Sequence, residues 1–133
     1  MFSLHPRLTA DTVILADWPL CRVLLMNDAT YPWLILVPRR EGVSEITDLT
    51  APDQTVLMTE IAQASTRLRA LVAPDRINVA ALGNVVPQLH VHVIARFTTD
   101  AAWPKPVWGA VPTAPYSPEA LDRQVAGLRA ALG

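Results

Sequence analysis

The chain has 133 residues, 51% of them hydrophobic and 17% charged, with a formal net charge of −1. One domain of that size buries a core without disulfides or metals, and so apolar a composition excludes a disordered chain. The near-neutral balance has no basic stripe, so nucleic acid is excluded as a partner; the densest positive spot is the pair Arg39 and Arg40, read as a solvated loop after a strand.

The opening residues, MFSLHPRLTA, lack the long apolar stretch of a secretory leader, and no later run is long enough to span a membrane. The expectation is a soluble cytoplasmic protein with no membrane partner. His5, so near the start, reads as a surface residue. Twelve prolines punctuate the chain, each disfavouring helix in the residue before it. TVIL (12–15) is the first strand candidate and CRVLLMN (21–27) the second, able to pair as a hairpin across ADWPL. Cys21, the single cysteine, has no intrachain partner and reads as a small core residue. WLILVP (33–38) is the third strand, with Pro32 and Pro38 near its ends.

A long helix follows. Thr50 suits its N-cap and Pro52 its first turn, where a missing N–H costs nothing. Leu57, Ile61, Ala64, Leu68 and Leu71 recur at helical spacing as one apolar stripe, while Gln54, Glu60, Gln63 and Arg67 suit solvent. Pro74 terminates it. RINVAAL (76–82) and QLHVHVIAR (88–96) are the fourth and fifth strands, joined by Gly83 to Pro87. The segment AAWPKPVWGAVPTAPYSP reads as ordered loop, too aromatic for a linker, with Trp103 and Trp108 pinning it to the sheet. Ser117 then caps a last helix with Pro118 at its first position and Leu121, Val125 and Leu128 on one face. Strands, helix, strands, helix with short connections predict an α+β domain over 1–133: an antiparallel sheet of about five strands with helices on one side.

Side chains alternate across a strand, so Leu89, Val91 and Val93 face the core while Gln88, His90 and His92 share the other face, about 7 Å apart. Three readings are open. The histidines are polar residues on a solvated face. Alternatively, they ligate one metal ion, although no Asp, Glu or Cys lies between Ile77 and Thr99 to assist. In the third reading, one imidazole attacks phosphorus while its second nitrogen is held by an acceptor, and the other histidine contacts a phosphate oxygen or the leaving group. Asn27, Asn78 and Asn84 near strand ends are candidate donors to that phosphate. No P-loop or GxGxxG cradle is present.

QLHVHVI resembles the His-x-His-x-His motif of the histidine triad (HIT) superfamily, with Gln88 in place of the first histidine. LLMNDATYPWLILVPRR, DLTAPDQTVLM and NVAALGNVVPQLHVHV are similar to further pieces of the family pattern, over roughly residues 20–96. The resemblance implies a five-stranded antiparallel sheet with helices, paired as a homodimer, and nucleotide substrates such as dinucleoside polyphosphates, nucleoside phosphoramidates or adenylylated adducts. It implies that His90 is the nucleophile toward the α-phosphorus, that His92 contacts the phosphate and leaving side, and that Asn27 lies by the ribose. Asn84, Asn78 and Gln88 would complete the substrate contacts. No cofactor or metal is called for. Two departures bear on rate and substrate choice: Gln88 does not titrate, and the common Pro-Gly-His turn reads YPWL. A backbone carbonyl at position 88 would still orient His90. A weakened, binding-only site is the alternative. Arg96 is left between polyphosphate contact and plain exposure.

Overall fold

The computed structural model describes residues 1–133. A short helix α1 (Pro6–Asp11) leads into strands β1 (Thr12–Asp17), β2 (Cys21–Met26) and β3 (Trp33–Pro38). After a 3-10 turn at Ile46–Asp48 come helix α2 (Ala51–Val72), strands β4 (Arg76–Ala80) and β5 (Val91–Arg96), and helix α3 (Pro118–Leu132). The five strands form one antiparallel sheet in the order β1-β2-β3-β5-β4. The predicted α+β class and both long helices are present. Helix α1 has no counterpart in the sequence reading, because six residues hold too little period to register.

The long helices begin where their caps dictate. Thr50 and Ser117 each accept from the backbone N–H three residues on, at 3.2 Å in both cases, and each helix has a proline in its first turn. Helix α2 ends at Ala73 in the left-handed conformation, φ 48°, just before Pro74.

Apolar alternation divides the molecule into two layers. Leu34 and Leu36 of β3 and Val91, Val93 and Ala95 of β5 join Leu57, Ala64, Leu68, Leu128 and Leu132 of the long helices in one core. Trp33, Ile35, Val37 and Ile94 point to the opposite face, where Leu8, Val86, Ala102 and Val107 cover them. The expected solvated face is therefore roofed by α1 and the long loops, and all six residues of β5 are buried.

Two assignments on α2 are corrected. Glu60 is buried, 3% exposed, because its carboxylate accepts from the backbone N–H groups of Leu20 (3.0 Å) and Cys21 (2.8 Å), which the turn before β2 leaves unpaired. Leu71 is exposed, since at the last turn Leu68 and Val72 take the core side of the helix. Strand β5 also begins at Val91 rather than Gln88: Pro87 has no N–H to give, and Leu89 donates instead to the Val43 carbonyl at 3.0 Å.

Candidate active site

The register of the sheet sets His92 opposite Ile35 on one side and Ala80 on the other. His90 sits two residues earlier on the same face, at the mouth of the strand. Their rings lie 4.9 Å apart, edge to face. They are only 7% and 6% exposed, so the solvated-face reading fails. Both open onto a cavity of about 280 Å³ walled by α1, the end of β2, the β4–β5 connection and the 107–113 loop.

Each ring is held through Nδ1, in opposite senses. His90 Nδ1 lies 2.7 Å from the Gln88 carbonyl oxygen. A carbonyl only accepts, so Nδ1 carries a proton, and in the neutral ring the lone pair is on Nε2. His92 Nδ1 lies 3.0 Å from the Trp33 indole nitrogen, which only donates. Burial, reinforced by the neighbouring His90, pushes the His92 imidazole down to about 4, so it is neutral at physiological pH.

The structure sorts the amides predicted for the site. Asn84 lines the cavity, on an exposed turn entered through Gly83, whose φ of 72° favours glycine. The other three have structural work. Asn27 accepts from the Tyr116 backbone N–H at 3.0 Å. Asn78 accepts from Arg96 Nη1 at 2.8 Å. Gln88 accepts from the His5 backbone N–H at 2.8 Å and donates to the Ser3 carbonyl at 2.9 Å. None of these three lines the cavity. His5 is half-buried and caps α1 by accepting from the Arg7 N–H at 3.1 Å.

Arg96 is neither exposed nor aimed at the cavity. It is 1% exposed and forms a bidentate pair with Asp100 (2.7 and 3.0 Å), and it also donates to the Lys105 carbonyl at 2.8 Å. Its guanidinium stacks over Tyr31 and Trp103. Arg40 likewise pairs with Asp53 at the start of α2, and Arg39 donates to the Trp18 carbonyl.

Two cavity residues have roles the sequence reading did not give them. Asp28 is buried with one carboxylate oxygen on the N–H groups of Thr30 (3.0 Å) and Ala114 (3.4 Å), and it forms part of the wall. Asn27, its neighbour in the chain, drew the attention instead. Trp108 packs edge-on against both His92 (5.0 Å) and Trp33 (5.9 Å), so it closes the cavity as well as pinning its loop. Nowhere do three or more His, Cys, Asp or Glu side chains converge to hold a metal.

The chain matches the family model described as HIT domain over residues 7–99. It is similar to a histidine triad protein from Marinobacter aquaeolei VT8, with 50% identity, 99% of this chain and 96% of that one covered, and a TM-score of 0.96. A histidine triad protein from Bradyrhizobium japonicum shows 48% identity, coverage of 99% and 98%, and a TM-score of 0.95. A hypothetical histidine triad nucleotide-binding protein from Sulfolobus tokodaii strain7 shares the fold at 13% identity, coverage of 91% and 83%, and a TM-score of 0.71. No curated protein matches the chain. The paired, oppositely held histidines on a five-stranded antiparallel sheet and the family match agree, and the chain belongs to the histidine triad (HIT) family.

Proposed function

We propose that the protein is a nucleotide hydrolase or nucleotidyl transferase that acts on the α-phosphate of nucleoside phosphoramidates or dinucleoside polyphosphates through His90. The carrying observation is the 2.7 Å contact between His90 Nδ1 and the Gln88 carbonyl, which in the neutral ring puts the lone pair on Nε2, beside the cavity. Nε2 attacks phosphorus, an N–P bond forms, and the P–N or P–O bond to the leaving group breaks; the leaving group takes its proton from water. The nucleotidylated ring, bonded to phosphorus at Nε2 and protonated at Nδ1, is then cationic, and its Nδ1–H bond to the carbonyl becomes charge-assisted and stronger. Water attacks phosphorus, the N–P bond breaks, and His90 is regenerated.

The apolar part of the cavity suits a base, and the Asp28 carboxylate suits the hydroxyls of a sugar. His92 Nε2 and Asn84 serve the phosphate. Incubation with a labelled nucleoside phosphoramidate or dinucleoside polyphosphate should leave an acid-labile label on His90, and His90→Ala should abolish both label and turnover with the fold intact. Unchanged turnover in that variant rejects the mechanism.

The binding-only reading draws on one observation: position 88 holds a glutamine, which does not titrate, and its amide is tied to Ser3 and His5 rather than turned to the cavity. Nucleoside monophosphate binding without turnover of either substrate class would establish it. The same family-based reading makes the protein a homodimer.

A further inference from the structure

We infer that Trp33 is a positioning residue that fixes His92 as the neutral tautomer with its proton on Nε2, making His92 a permanent hydrogen-bond donor to the phosphate rather than a proton carrier. The tautomer rests on geometry alone; the phosphate as recipient rests on the function proposed above.

An indole N–H donates and never accepts. Trp33 Nε1 stands 3.0 Å from His92 Nδ1, so Nδ1 must offer its lone pair and a neutral ring must carry its proton on Nε2. Protonating the ring would set an Nδ1–H against the indole N–H, two donors facing one another at a buried contact. Rotation offers no escape, because the imidazole is boxed edge to face by Trp33 (5.6 Å), Trp108 (5.0 Å) and His90 (4.9 Å). The titratable groups around it are His90 on its own strand, Tyr31 beside Trp33, Asp28 at the end of β2, and Arg7 and Asp11 of α1, which share the cavity wall. Arg7 and Asp11 pair with each other at 3.8 Å. None of these touches Nδ1, where the only hydrogen bond is the indole's.

The two histidines therefore have fixed and opposite roles, set by an acceptor-only neighbour and a donor-only neighbour. His90 is a nucleophile because a carbonyl takes its proton side. His92 is a donor because an indole takes its lone-pair side. The carbonyl comes with any residue at position 88, but the indole is a choice of side chain, made in the YPWL turn that lacks the usual histidine. A histidine there has both donor and acceptor states available; tryptophan has one.

Nitrogen-15 spectra of the imidazoles in the ligand-free protein test this directly. Wild-type His92 should show a bare Nδ1 and a protonated Nε2, unchanged from pH 8 down to pH 5.5. Trp33→Phe keeps an aromatic ring in place and removes the donor. In it, His92 should populate the Nδ1–H form and titrate about one pH unit or more higher, and kcat should fall about tenfold, the scale of one lost charge-directed hydrogen bond, with a new pH-dependent limb in the rate profile below pH 7. A wild-type His92 protonated on Nδ1 overturns the inference even if the variant does not fold. An unchanged His92 titration and tautomer in folded Trp33→Phe overturns it as well. Neither result depends on turnover, so failure of the His90 labelling experiment would remove the recipient and leave the tautomer lock to be judged by itself.

Discussion

Asn78 and Asn84 differ by six positions and by everything that matters to their use. Asn78 lies on β4 with its oxygen on buried Arg96, whereas Asn84 lies on an open turn beside the cavity with no hydrogen bond inside the chain. Asn84→Ala should raise KM about tenfold, the value of one hydrogen bond to a charged phosphate, with an unchanged unfolding midpoint. Asn78→Ala strands one N–H of a buried guanidinium and should cost about 1–3 kcal/mol of stability, measured by urea unfolding, with KM little altered. Residue type signalled both asparagines equally in the sequence. What separates them is whether a neighbouring backbone or cation has already claimed the amide, and that is a tertiary fact. His90 and His92 were legible because a two-residue period on a strand needs no tertiary information to put both on one face. Asp28 was not, because its carboxylate caps a turn whose other strand of contact, Ala114, lies 86 residues away.

At the level of elements, strand and helix positions follow from punctuation and periodicity, but their ends do not. Strand β5 loses three residues at its start once Pro87 and the Leu89–Val43 bond interrupt the ladder, and β4 stops at Ala80, opposite His92. The loop after β5 was predicted as ordered; the reason it is ordered is one charge. Arg96, at the last position of the strand, holds Asp100 and Lys105, and Asp100 in turn accepts from the backbone N–H groups of Phe97, Ala102 and Trp103. The Arg96 bond, with the Phe97 and Trp103 backbone donors, holds the Asp100 carboxyl down to about 2. A carboxyl depressed from 3.8 contributes stability that is present above pH 3.8 and is lost as the pH falls through 2. Asp100→Asn should lower stability at neutral pH, flatten the acid limb of the stability profile between pH 4 and 2, and raise hydrogen exchange in residues 97–108. An acid limb identical to wild type would show that the clamp does not govern this loop.

For the molecule as a whole, the long helices announce one core through their 3.6-residue stripes, while the second core sets the other face of β2, β3 and β5 against α1 and irregular loops that have no period to read. The sheet is thus covered on both faces but not at both edges. Strand β4 is an outer strand, with Val79 48% exposed, and Leu82 and Val85 beside it are 47% and 72% exposed. An open edge next to apolar surface is a pairing template, so the proposed homodimer would form there; light scattering should then give twice the 14.5 kDa chain mass, and Val79→Lys should shift it toward monomer.

Gln88 ties this architecture together. Its carbonyl aims the His90 ring, and its amide straps down the segment from Ser3 to His5, 83 positions upstream of it at the nearer bond. Guide and strap belong to one residue, so under the proposed mechanism slack in the leading segment would be delivered straight to the angle at which the attacking nitrogen meets phosphorus. Residues outside the cavity would thereby share in aiming the proposed nucleophile.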